Sequence, residues 1–219
     1  MSKTTHIRRV LLVCNGAPPS KSLVQGLARA ADLIVAADGG ANTAAMCNVR
    51  PHIIIGDLDS ILPATLKRFR TSMVIRMRGQ DNTDLEKALD LIASSGRAEV
   101  TIIGATGGRI DFTLANLAVF WNYTASLNIC FRGDGWRAVP VGRKRSLTTP
   151  VGSVVSLLPF TNCFGISLRG LRYPLRNATM RLGSIGVSNV ARTPQFSVTV
   201  RRGDMLLVVF NRRKERITW

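Results

Sequence analysis

The sequence predicts two domains of different class: an α/β domain with a mainly parallel sheet, then a smaller all-β domain. Three observations carry this reading. The chain has 219 residues, 46% of them hydrophobic, which is enough to give each of two domains a core. Up to about residue 135, short apolar runs alternate with longer amphipathic ones, the pattern of parallel strands covered by helices. From Gly135 onward the texture changes to short β-prone runs broken by Gly, Pro and Asn, with no helical periodicity of useful length. The domains are therefore expected at 1–138 and 139–219.

In the first domain, apolar runs predict strands at 10–13, 33–37, 52–55, 73–76, 100–103 and 127–131. Amphipathic stretches between them predict helices at 21–31, 41–47, 63–69, 83–94 and 112–122. Thr83 with Glu86 three residues on has the form of a capping box for the fourth helix. In the second domain the clearest strands are 153–158, 195–200 and 205–210, as in a small antiparallel sandwich or barrel.

Several classes of protein are disfavoured. No stretch approaches the roughly 18 to 20 apolar residues that cross a bilayer, and the first nine residues lack a signal-peptide core, so a cytoplasmic protein without a membrane partner is expected. Cys14, Cys47, Cys130 and Cys163 form no CxxC pair and read as reduced structural thiols. His6 and His52, the two histidines, are too few for chemistry built on imidazole ligands. The formal charge is +17, and residues 140–219 carry 14 Lys/Arg against 2 Asp/Glu. Such a segment can steer polyphosphate or nucleic acid, or be a solvated basic surface.

The acids are placed more tellingly. Asp38, Asp57, Asp59, Asp81, Asp84 and Asp111 follow predicted strands or open the next helix, at the carboxyl edge of the sheet where open α/β folds bind ligands. Asp38-Gly39-Gly40-Ala41-Asn42 lets the backbone come close to an anion, although a plain tight turn reads the same way. In Gly56-Asp57-Leu58-Asp59-Ser60, an extended segment would point both carboxylates the same way, toward one hard cation. Mg2+ suits best, because it takes one or two carboxylates and fills its shell with water and phosphate oxygens. In Gln80-Asp81-Asn82-Thr83-Asp84, capping explains one acid, and a second beside a Gln suits a nucleotide and metal site. Gly104-Ala105-Thr106-Gly107-Gly108-Arg109-Ile110-Asp111 combines glycines for close approach with a planar guanidinium fork for phosphate oxygens.

Together ADGGAN, GDLDS, QDNTDLEKAL and GATGGRID, in this order and spacing, resemble the thiamine pyrophosphokinase family. SLLPF at 156–160, GLRYPL at 170–175 and the Ser188-Asn189 pair resemble that family's thiamine-binding part, so the likeness spans residues 10–210. The resemblance implies a Rossmann-like ATP- and Mg2+-binding domain, a β-sandwich domain, and a homodimer with thiamine held between domains near the subunit interface. It also implies transfer of the β,γ-pyrophosphoryl group of ATP to the hydroxyl of thiamine, giving thiamine diphosphate and AMP. By motif matching, Asp57, Asp59 and Asp84 are the magnesium-centred acids and, with Arg109, the catalytic set. Asp38, Gly39, Gly40, Asn42, Gln80, Asp81, Thr83, Gly107, Arg109 and Asp111 would hold ATP. Ser188 and Asn189 would address the aminopyrimidine, and Tyr173 would flank thiamine from the other subunit.

Two positions depart from the family pattern. Phe112 and Val190 stand where a polar residue is common, which bears on any ligand role at 112 and on the thiamine contacts. Two other functions compete. The Asp-x-Asp of GDLDS suits a Mg-dependent phosphatase or phosphotransferase with an aspartyl-phosphate, but that class sets its nucleophile in the first strand-end loop, here Cys14-Asn15-Gly16. The basic second domain suits a nucleic-acid-binding protein, but it lacks Lys/Arg interleaved with aromatics, and aromatics are 6% of the chain, so no specific nucleic acid is expected.

Overall fold

The computed structural model describes residues 8–79 and 81–213, and the chain divides into two compact units at the Asp134–Gly135 peptide. The first unit alternates strands and helices: β1 (Arg8–Val13), α1 (Lys21–Ala30), β2 (Leu33–Ala37), α2 (Gly40–Met46), β3 (Ile53–Gly56), α3 (Pro63–Arg68), β4 (Met73–Arg76), α4 (Asp84–Ser94), β5 (Ala98–Ile103), α5 (Ile110–Val119), a 3-10 turn (Phe120–Tyr123) and β6 (Leu127–Gly133). Its strands stand in the order β6-β5-β1-β2-β3-β4, and each neighbouring pair runs parallel. Leu33 to Ala37 are all buried, as a strand covered on both faces requires.

The core lies on the sheet's faces. Leu11, Val13, Ile34 and Ile103 pack with Val24 of α1, and Ala36 and Ile54 pack with Ala41 and Ala44 of α2, Ile61 and Phe69. Each fully buried Leu, Ile or Phe contributes about 1.5 to 3 kcal/mol. Helix ends follow local chemistry: Ser20 caps α1, Pro63 opens α3, and Thr83 with Glu86 forms the expected capping box on α4. Strand order reverses at β1, which pairs β2 on one side and β5 on the other. The loops beyond β1, β2, β3 and β5 therefore surround a topological switch point.

The second unit is all-β, with β7 (Trp136–Pro140), β8 (Lys144–Thr148), β9 (Ser153–Pro159), β10 (Cys163–Arg169), β11 (Ala178–Met180), β12 (Asn189–Val190), β13 (Gln195–Thr199) and β14 (Met205–Arg213). Strands β12, β9, β14 and β7 are successive antiparallel neighbours, as are β11, β10, β13 and β8. Val155, Leu157, Val198, Leu207 and Val209 are among its most buried side chains. Among the described residues no helix is long and apolar enough to cross a membrane, and none of the four cysteines is in a disulfide.

Candidate active site

A cavity of about 690 Å3 opens at the switch point, a volume typical of small-ligand sites. Two loops form its floor by backbone contact alone. The Cys14, Gly16 and Ala17 amides donate to the carbonyls of Ile103, Gly104 and Thr106 at 2.9, 2.6 and 2.9 Å. Gly104 sits at φ 66, and a Cβ on it would collide with the Cys14 carbonyl. Such an approach leaves glycine as the residue that fits.

The acids converge on one side of the cavity. One carboxylate oxygen from each of Asp38, Asp57 and Asp59 lies within 4.8 Å of the others. Asp38 follows β2 with φ 44, its amide donating to Ile55 O at 2.8 Å, and it is only 3% exposed. Its Oδ1 has no hydrogen-bond partner among the described residues. Burial pushes the Asp38 carboxyl up, the nearby charges of Asp84 and Asp57 add to this, and hydrogen bonds from Gly39 and Ser60 oppose it.

Asp57 and Asp59 meet by a different geometry from the extended one expected. Strand β3 ends at Gly56, Leu58 turns into the left-handed region at φ 68, and the Asp59 amide donates to Asp57 Oδ1 at 3.2 Å. The Leu58 side chain packs against the α2 and α3 core cluster, which offsets the roughly 1 to 2 kcal/mol cost of that conformation. Its two polar neighbours are left on the cavity side.

Asp84 reaches the same cavity from the first turn of α4. A Cβ on Gly56 would lie 2.9 Å from Asp38 Cβ and 3.1 Å from Asp84 Oδ1, so the bare glycine is what lets these two side chains approach. Asp84 Oδ1 accepts a 3.0 Å hydrogen bond from Nζ of Lys87, which is only 6% exposed. The tight three-carboxylate group thus includes Asp38, whereas Asp84 is ion-paired. Cys14 is buried in the floor, its thiol pushed up to about 12 by burial and then by the Asp84 charge.

The cavity also has a cationic lining residue. Gly107, Gly108, Arg109 and Phe112 line the cavity at the start of α5, whose N-terminus carries no side-chain cap. Arg109 donates to Asp111 through Nε at 3.1 Å and through a terminal nitrogen, and its guanidinium lies over the Phe112 ring, 4.5 Å from the centroid. Arg109 in turn holds the exposed Asp111 carboxyl below the usual Asp range.

The residues expected from sequence to hold ATP or metal thus separate into groups. Asp38, Asp57, Asp59, Thr83, Asp84, Gly107 and Arg109 line the cavity. Asn42 does not: its amide bridges Ser60 O at 2.8 Å and the Leu62 amide at 3.1 Å, bracing the Asp57–Asp59 loop. Gly39 and Gly40 seat α2 against Asn15 and Val13 O, behind the lining. Asp81 is exposed outside it, and Gln80 lies outside the described residues, as does His6. His52 has a structural role, its Nδ1 accepting from the Ile34 amide at 2.9 Å. Asn15, Ser60 and Asn116 also line the cavity and were not singled out from sequence. The Asn after β1 was the one available signal.

In the second unit, Tyr173, Ser188 and Asn189 come together. Buried Asn189 accepts from the amides of Tyr173 and Val190 at 3.0 and 2.8 Å and donates to Tyr173 O at 2.8 Å. One amide hydrogen remains for a ligand. Asn189 therefore holds the Tyr173 backbone, while the Tyr173 side chain stands 60% exposed. Ser188 sits at φ 65, its amide donating to Ser156 Oγ at 3.1 Å.

Two family models cover most of the chain: thiamin pyrophosphokinase, catalytic domain, over residues 24–131, and thiamin pyrophosphokinase, vitamin B1 binding domain, over residues 143–204. The chain belongs to the thiamine pyrophosphokinase family. It is 24% identical over 184 residues to thiamine pyrophosphokinase of Bacillus subtilis, covering 80% of this chain and 86% of the relative. Against thiamine pyrophosphokinase 2 of Arabidopsis thaliana it is 28% identical over 158 residues, 65% of this chain and 59% of the relative. Among solved structures, thiamin pyrophosphokinase from Candida albicans superposes with a TM-score of 0.83 at 20% identity, covering 93% of this chain and 89% of that one, which establishes the shared fold. The aspartyl-phosphate and nucleic-acid readings find no support in these comparisons.

Proposed function

We propose that this member of the family transfers the β,γ-pyrophosphoryl group of ATP to the primary hydroxyl of thiamine. The hydroxyl oxygen attacks the β-phosphorus in line, the bridging bond to the α-phosphate breaks, and AMP leaves. Such a transfer needs positioning and charge neutralisation more than covalent participation. The observation that carries the reading is that one cavity is lined by three clustered carboxylates together with a guanidinium and a helix N-terminus without a side-chain cap.

The hard oxygen donors of Asp38, Asp57 and Asp59, with Asp38 Oδ1 buried and unpartnered, fit Mg2+, and Asp84 stands beside them. When bound, Mg2+ neutralises polyphosphate charge and aligns it. Arg109 and the Gly107–Gly108 backbone hold the phosphate oxygens, and Asp111 and Phe112 fix the guanidinium. A clustered aspartate accepts the hydroxyl proton.

In this reading the first unit is the Rossmann-like, ATP-binding domain and the second the thiamine-binding sandwich, with Tyr173 and Ser188 meeting thiamine; the boundary falls at Asp134–Gly135 rather than at the expected 138, because β7 (Trp136–Pro140) pairs with β14 of the second unit. We propose a homodimer, supported by the exposure of Ile110 and Leu114 on α5 and of Leu182 and Ile185, the last 86% exposed. Cysteines outside any disulfide suit the cytoplasm. The test is product identification with thiamine, ATP and magnesium. AMP should appear in step with thiamine diphosphate, and ADP with thiamine monophosphate would overturn the assignment.

A further inference from the structure

A second cavity, of about 500 Å3, lies within the all-β unit and is lined by Arg143, Phe164, Gly165, Asn177, Thr179, Arg201 and Arg202. It has three guanidiniums, an amide and a hydroxyl, and no carboxylate among its described lining residues. The one acidic residue of 135–213, Asp204, is not part of the lining. Three permanent charges around one hollow repel each other unless an anion joins them.

The fold holds these arginines in place. Strand β10 bulges between Cys163 and Ile166, and Gly165 at the bulge takes φ 66. A Cβ there would overlap the Cβ, Cγ and Cδ atoms of Arg201, so the Arg201 stem lies in the notch the glycine leaves. The Phe164 amide donates to Arg202 O at 2.8 Å, and the Arg201 amide donates back to Phe164 O at 3.0 Å. Arg143 donates through a guanidinium nitrogen to Arg201 O at 3.2 Å, while its own carbonyl accepts from the Val200 amide at 3.0 Å. Ordering the Arg143 and Arg201 side chains before binding lowers the entropy lost when an anion arrives.

We propose that this cavity is an anion site for a di- or triphosphate group, free or carried by a nucleotide, separate from the catalytic cavity. Planar guanidinium forks match phosphate oxygens, Asn177 and Thr179 add neutral donors, and the partly exposed Phe164 ring offers a flat wall to an aromatic base. Metal dependence sets the two cavities apart. Without a divalent cation the carboxylates of the catalytic cavity repel a polyphosphate, whereas the arginine cavity needs no metal.

The test is calorimetric titration of the full chain with sodium tripolyphosphate and, separately, ATP, in EDTA at about 0.15 M salt. One equivalent of tripolyphosphate should bind per chain. Arg201→Gln and Arg143→Gln should each weaken it by about tenfold or more, whereas Asp57→Asn leaves it unchanged. ATP binding tighter than tripolyphosphate, with the increment lost in Phe164→Ala, assigns a nucleotide. Equal affinity assigns the phosphate chain itself. Both outcomes uphold the polyphosphate class. No binding in EDTA, or binding indifferent to Arg201→Gln, overturns the proposal. So does displacement by an RNA oligomer at lower phosphate concentration, which would make the surface a nucleic-acid contact.

Discussion

Replacing Asp38 with Asn should make the metal-free protein more stable and the enzyme far less active. Asp38 is 3% exposed and shares a 4.8 Å group with Asp57 and Asp59. At that separation and an effective dielectric of about 20, each fully charged pair repels by roughly 3.5 kcal/mol. Asp59 is exposed, and salt screens the repulsion. The gain from Asp38→Asn in EDTA at pH 7 is therefore about 1 to 2 kcal/mol. For a chain of this size that raises the melting midpoint by about 2 to 8 °C.

The sign with pH follows from linkage. A carboxyl whose folded pKa lies above its ordinary 3.8 favours the folded state fully below that value and loses this stabilisation as pH rises through the folded pKa. The advantage of Asp38→Asn should therefore shrink as metal-free protein is acidified from pH 7 toward 3.8. With magnesium and ATP the order inverts, because wild type gains binding stabilisation that the variant lacks. Its kcat/KM should fall by about a hundredfold or more. Differential scanning fluorimetry in EDTA and in magnesium, across pH, reads all of this. A variant less stable than wild type in EDTA at pH 7, or one with the full magnesium response, refutes the reasoning.

Cys14, with its thiol pushed up to about 12, should react with iodoacetamide at pH 8 roughly a thousandfold more slowly than a free cysteine, as followed by peptide mass mapping. Rapid native labelling would contradict the burial. Phe112→Ala should raise the ATP KM by about two- to sixfold through loss of the ring under Arg109, leaving the thiamine KM alone, and a shift in the thiamine KM instead would give Phe112 to the other substrate. Asn189→Ala removes three hydrogen bonds and should lower stability by about 2 to 4 kcal/mol while raising the thiamine KM, whereas Tyr173→Ala should raise that KM without the stability loss. Mixing Tyr173→Ala with Asp57→Asn chains at limiting thiamine should restore about a quarter of wild-type rate if each site is shared between two chains, and no recovery despite proven exchange would exclude sharing.

The α/β elements were legible because strands buried on both faces must be continuous apolar runs. Leu33–Ala37 falls where the sequence predicts it for that reason. Met73–Arg76 also falls where the sequence predicts it, but as a largely exposed edge strand, read from its apolar residue types rather than from burial on both faces. Strand β8 was not found, because Lys144–Thr148 alternates between exposed and half-buried positions and shows no apolar face to read. Strands β11 and β12, three and two residues long, are set by partners distant in sequence. The same limit hid Asn15 and Asn116 in the site. They enter it only when the loop after β1 is hydrogen-bonded to the loop after β5, about ninety residues away.

Asp57 and Asp59 show how two carboxylates can be brought to one cavity by a local geometry other than the one expected. An extended strand would aim residues i and i+2 the same way, but the chain turns left-handed at Leu58 instead. Both routes give the same result, because in either one the apolar middle residue must go to the core and its two charged neighbours must stay near water. The outcome was fixed by polarity, which is written in the residue types. Asn42 and Asn189 had no such determinant. An amide can meet a ligand or brace a loop with the same atoms, and which it does depends on which backbone groups the fold leaves unpaired beside it. Ser60 O and the Leu62 amide stand beside Asn42, and the Tyr173 backbone stands beside Asn189. Charged ligand sites are therefore readable from sequence to the extent that burying an unneutralised charge is costly, and neutral amides become readable only once the backbone around them is known.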